Sequence, residues 1–147
     1  MTFKAQINTV EDVLSMFGKG LDCGQVIVYA IASDLGMDTD MALKSAAAFG
    51  GGVFQGEICG SYIGGLIALG LKYGHSKEDD PAKGQMISKI FQYKEKYEKI
   101  QKSSVCSDIL GYNLSIPEES KILEEKGLLT TVCPKLTLDI INIVRSL

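Results

Sequence analysis

The chain has 147 residues, is 46 % hydrophobic and 22 % charged, and carries a formal net charge of −3. That balance belongs to a globular rather than a disordered protein, and the length suggests one domain spanning residues 1–147. The negative net charge argues against nucleic acid as the main partner, because affinity there comes mostly from neutralising phosphates.

In chain order, MTFKAQINTV lacks a basic start followed by an apolar core, so no secretory leader is expected. Helical periodicity predicts a first helix over 10–17, capped by Asn8-Thr9 and stopped by Gly18 and Gly20. A second spans 23–35, with Val26, Ile27, Ala30, Ile31 and Leu35 at helical spacing and Gly36 ending it. Asp38-Thr39-Asp40 caps a third over 41–49, and Gly50-Gly51-Gly52 then breaks the chain.

A glycine-rich helix is predicted over 58–73. Its apolar run, 58–71, is too short to span a membrane, and a cytoplasmic location is the expectation. After a polar loop, 85–102 reads as amphipathic, with Met86, Ile90, Phe91, Tyr93, Tyr97 and Ile100 on its apolar side and lysines opposite. A single turn or short helix at 106–110, a charged helix over 117–126 and a last helix from Pro134 complete the chain. The reading is an all-α, single-domain bundle of about six or seven helices, with no sheet in the core.

The chemistry-bearing residues are Cys23, Cys59, Cys106 and Cys133. No two are close enough for a CxxC pair, so the local zinc-finger signal is absent. All four are predicted at helix N-termini, Cys133 as the N-cap before Pro134. Free amide groups and the helix dipole stabilise thiolates there, which predicts depressed pKa values and makes Cys133 the best-defined reactive thiol. Gly60 and Gly64, with Ala68 beyond them, share one helical face that would let another helix approach Cys59 closely. Glu57, two residues before Cys59, suits a helix cap or a proton acceptor for a thiol. His75, in a polar stretch, reads as a solvated loop residue, and the lysines of 83–102 as a solvated face.

Taken together, Cys23-Gly24-Gln25, the FGGG at 49–52, Gly56-Glu57-Ile58-Cys59-Gly60-Ser61-Tyr62-Ile63-Gly64, Cys106 to Gly111 and Cys133-Pro134 resemble the family named for its C-GCAxxG-C-C signature. The family's CGAxxG motif corresponds to Cys59-Gly60-Ser61-Tyr62-Ile63-Gly64, with Ser61 in place of the alanine. The resemblance covers roughly residues 10–145. It implies a redox role carried by Cys23, Cys59, Cys106 and Cys133, with an unidentified redox partner and frequent genomic proximity to transporters. A related domain occurs in split-Soret cytochromes, which also carry an iron–sulfur cluster.

Three readings follow. The first is thiol redox chemistry, with helix-terminal cysteines converging in the core and cycling between dithiol and disulfide, as an oxidoreductase or an electron-transfer protein. The second makes the same four cysteines ligands of tetrahedral zinc or an iron–sulfur cluster. The third is a helical interaction module with incidental cysteines, binding a partner through the lysine-rich helix.

Overall fold

A computed structural model describes residues 6–147, and every regular element among them is helical. The stretch read for a leader begins in residues 1–5, which lie outside the described residues. The helices are α1 Val10–Gly18, α2 Cys23–Leu35, α3 Thr39–Ser45, α4 Gly60–Tyr73, α5 Ala82–Glu98, α6 Cys106–Leu110, α7 Pro117–Glu125 and α8 Leu128–Ser146, with a coiled turn, Gly52–Gly56, before α4. The all-α class holds. The count exceeds six or seven because Cys106–Leu110 closes a real helix and the triple-glycine region coils instead of simply interrupting the chain. β pairing among the described residues is a single bridge between Ile58 and Val105. No single helix among them is long and apolar enough to cross a membrane.

α2 lies at the centre. From Val26 to Ala32 every residue is buried, so the helix is apolar all round and must be enclosed on all sides. One side meets Val13 and Met16 of α1, Leu69 of α4, Tyr93 of α5 and Ile140 of α8 in the main core. The other, through Val28 and Ala32, packs on Ala42 of α3 and on Ala46. α6, α7 and the start of α8 form a satellite core around Cys106, Leu110 and Leu123. The seam between main and satellite cores positions the cysteines.

One expected face and one expected helix boundary differ from the observed ones. α5 buries Tyr93 and Tyr97, whereas Phe91 is 64 % exposed and lies beside Lys94. α3 ends at Ser45 instead of 49, with the Asp38 carboxylate accepting from the Asp40 and Met41 amides as its cap.

Candidate functional site

Three of the four cysteines open helices. Cys23 is the first residue of α2 behind the N-cap Asp22, Cys59 is the N-cap of α4, and Cys106 is the first residue of α6 behind Val105. Cys133 does not. Gly127 adopts a left-handed conformation, α8 begins at Leu128, and Pro134 lies inside the helix with Cys133 before it. The reading of Pro134 as a first helical residue is therefore corrected. An internal proline forfeits one backbone hydrogen bond and costs about 3 kcal/mol. Packing of Leu128, Leu129, Val132 and Cys133 against Cys106, Leu110 and Leu123 offsets that cost and carries the helix through.

The Ile58–Val105 bridge aligns two of the sulfurs. The Cys59 amide donates to the Ser104 carbonyl at 2.7 Å, and the Cys106 amide donates to the Glu57 carbonyl at 2.6 Å. Alternation along this short antiparallel pair turns Ile58 outward and both cysteines inward. Ile58 is 38 % exposed, against 8 % for Cys59 and 7 % for Cys106. Glu57 thus serves the site through its main chain, while its side chain is exposed and the cap position of α4 belongs to Cys59.

The glycines clear the approach of α4 to α2. A Cβ on Gly64 would lie 2.7 Å from the Gly24 Cα, and one on Gly60 would lie 2.6 Å from the Phe49 carbonyl oxygen and 3.0 Å from the Cys23 Sγ. A side chain at Gly64 would push α4 away from α2, and one at Gly60 would strike the Phe49 carbonyl and crowd the Cys23 Sγ. The approach to α4 is also unusual. Gly51, Gly52, Val53 and Phe54 all have φ between 52° and 63°, and for Val53, a β-branched residue, that conformation is strained.

All four cysteines border one cavity of 160 Å³ at the seam of the two cores. Leu21, Ile109, Leu114 and Val132 supply much of its wall, and Asp22 and Ser61 are its polar neighbours. The Ser61 hydroxyl and the Thr137 hydroxyl, both buried, pair at 2.9 Å.

Electrostatics run opposite to the helix-terminus expectation. Burial pushes Cys23 up to about 12, with negative charge on Cys59 and on Asp22 adding to the rise and hydrogen bonds from Ser61 and the Gly24 amide opposing it. Cys106 is pushed up to about 11, by burial and then by charge on Cys59. Burial also raises Cys59, against hydrogen bonds from the Tyr62 and Ser61 amides. Those amides are the α4 terminus at work, and desolvation outweighs them. Cys133 is raised by burial and then by Cys23, Cys59 and Cys106, with no helix terminus to oppose the rise. Burial raises Asp22 as well. Cys59 and Cys133 each interact electrostatically with all three of the other cysteines.

No three His, Cys, Asp or Glu side chains among the described residues converge closely enough to hold a metal ion. The four thiols proposed as ligands of zinc or a cluster share a cavity without closing to metal-ligand spacing. All four are free thiols. His75 is exposed in the loop after α4, away from the cavity lining. On the lysine-rich helix, Lys89 donates to the Leu147 carbonyl and Lys96 to the Ser146 hydroxyl, so part of that face is engaged within the molecule.

Sequence reasoning missed Asp22, Ser61, Thr137 and the Glu57–Cys59/Ser104–Cys106 bridge. Asp22 had a signal in its position directly before a helix-opening cysteine, and Ser61 in its departure from the motif's alanine. The bridge is too short for alternation to show.

A family model described as "Putative redox-active protein (C_GCAxxG_C_C)" matches residues 21–147, a span that takes in all four cysteines. No curated protein and no solved structure matches the chain.

Proposed function

The chain belongs to the C_GCAxxG_C_C family of redox-active proteins, and on that premise we propose that it cycles between dithiol and disulfide, with Cys59 as the thiol through which exchange runs. The observation that carries this reading is the shared cavity: four cysteines from four separate stretches of chain border one space. Cys59 is the central thiol by its backbone: it adjoins Cys23 across the cleared α2–α4 contact and Cys106 across the Ile58–Val105 bridge.

In the resting protein the thiols are protonated, because burial disfavours their charged forms. Thiolate is the attacking species in disulfide exchange. Reaction therefore requires a proton to leave a cavity thiol as the sulfur–sulfur bond forms, which makes the chemistry proton-coupled near neutral pH. The cleared α2–α4 contact keeps Cys23 and Cys59 on adjoining backbones, and the bridge holds Cys59 and Cys106 on one inward face.

Single Cys→Ser variants at the four positions, oxidised under mild conditions and then alkylated for mass analysis, test this. The wild type should lose two thiols per chain, and Cys59→Ser should retain all three of its remaining ones. Retention of all four thiols by the wild type throughout the oxidant range would overturn the redox reading, and oxidation of Cys59→Ser at the wild-type rate would remove Cys59 from its centre.

A further inference from the structure

The cavity also specifies what can reach its two buried sulfurs, Cys59 and Cys106, whereas Cys23 and Cys133 are partly exposed. Cys59 and Cys106 are almost wholly buried, so an oxidant must enter the cavity to touch them. The volume is 160 Å³. An apolar cavity of about 150 Å³ holds a benzene-sized guest, and a tripeptide disulfide is several times larger.

Charge narrows the class further. No Lys, Arg or His is among the lining residues, and the one carboxylate at the wall is Asp22. An anion entering would lose its hydration, find no cation to pair with and face Asp22. Leucine, isoleucine and valine walls also give a strongly hydrogen-bonding oxidant such as hydrogen peroxide few partners. A small apolar molecule with a cleavable sulfur–sulfur bond satisfies the volume, the wall and the thiols together.

Resting on the dithiol–disulfide reading above, we propose that the four-cysteine cavity admits a small uncharged organic disulfide, of about the bulk of dimethyl disulfide, as its oxidising substrate in preference to anionic or peptide-sized disulfides. In the first step a cavity thiol loses its proton and attacks one sulfur of the substrate. The substrate S–S bond breaks, a mixed disulfide forms, and methanethiol leaves carrying that proton. A second cavity thiol then attacks the protein sulfur of the mixed disulfide, closing a protein disulfide and releasing a second methanethiol. The substrate gains two electrons and two protons, and the protein loses the same.

The test follows loss of the buried Cys59 and Cys106 thiols, assigned by alkylation and mass, in the fully reduced protein with dimethyl disulfide, dithiodiglycolate and glutathione disulfide. Each rate is divided by that of the same disulfide with N-acetylcysteine at the same pH, which removes intrinsic reactivity. The normalised rate with dimethyl disulfide should exceed the other two by at least about tenfold, given the cost of burying an unpaired charge. Val132→Phe, which fills the cavity, should bring the ratio towards one. Comparable normalised rates for all three in the wild type would overturn the proposal while leaving the redox reading intact. Failure of every disulfide to oxidise the protein would overturn both. The wild-type comparison decides the matter even if Val132→Phe does not fold.

Discussion

At Cys59, two amide groups of the α4 terminus favour the thiolate while burial opposes it, and burial is the larger effect. The consequence is measurable in the redox couple. With Cys106 near 11 and Cys23 near 12, a cavity pair keeps both protons in its reduced form well above neutral pH. Oxidation then releases two protons with two electrons, so the midpoint potential should fall by about 59 mV per pH unit. The line should stay straight from pH 7 through about pH 8.5, where unperturbed thiols would begin to flatten it, because Cys59 too is raised by burial. Potentials measured over that range check this, and a break near 8.5 would show that burial does not control the thiols. Ser61 and Thr137 make a second residue-scale prediction. Ser61→Ala leaves the buried Thr137 hydroxyl without its partner and should cost about 1–3 kcal/mol in denaturant unfolding. Adding Thr137→Val should recover most of that loss, because no orphaned polar group then remains.

Among the elements, the contact of α2 with α4 carries the most consequence for the site. Gly64→Leu places its first added atom 2.7 Å from the Gly24 Cα. Overpacking of this kind costs about 1–3 kcal/mol, while leucine improves helix propensity over glycine by up to about 1 kcal/mol. Packing should win, since the three nearest atoms are all Gly24 backbone, which cannot swing aside. The variant should be less stable and should also oxidise more slowly, because Cys23 and Cys59 are carried apart; a variant of unchanged stability and thiol chemistry would contradict the close approach. The spacing of Gly60, Gly64 and Ala68 makes this face readable in the sequence, whereas the helical spacing of Val26, Ile27, Ala30 and Ile31 shows one apolar face of α2 and not its burial all round. Pro134 misleads for a physical reason. Local rules favour proline at a helix start, but the preceding leucines and Val132 have a satellite core to fill, and that tertiary packing overrides the local preference. The left-handed run from Gly51 to Phe54 is equally hidden, because Val53 and Phe54 give no local signal for positive φ. Four cysteines could be read from the sequence as one set, but their convergence on one cavity depends on how two cores meet, which helical periodicity does not encode.

On the scale of the whole molecule, the seam between main and satellite cores puts thiols where water is scarce, and that couples their titration to folding. Unfolded thiols lose protons near 8.5, whereas Cys106 and Cys23 hold theirs to about 11 and about 12. Between those values the native state binds more protons than the unfolded one, so stability is fully present below about pH 8.5 and is lost as pH rises through the native pKa values. Under reducing conditions the denaturant midpoint should fall between pH 8 and pH 11, and less steeply in a Cys23→Ala, Cys106→Ala variant. Equal slopes would separate the thiols from the alkaline instability. The most direct test of the central claim is a redox titration of the wild-type protein in dithiothreitol buffers, with free thiols trapped by alkylation and assigned by mass. Convergence of the cysteines on Cys59 predicts one two-electron step, from four free thiols to two, with Cys59 among those lost. Four free thiols at every potential, or a disulfide that leaves Cys59 alkylated, would contradict it.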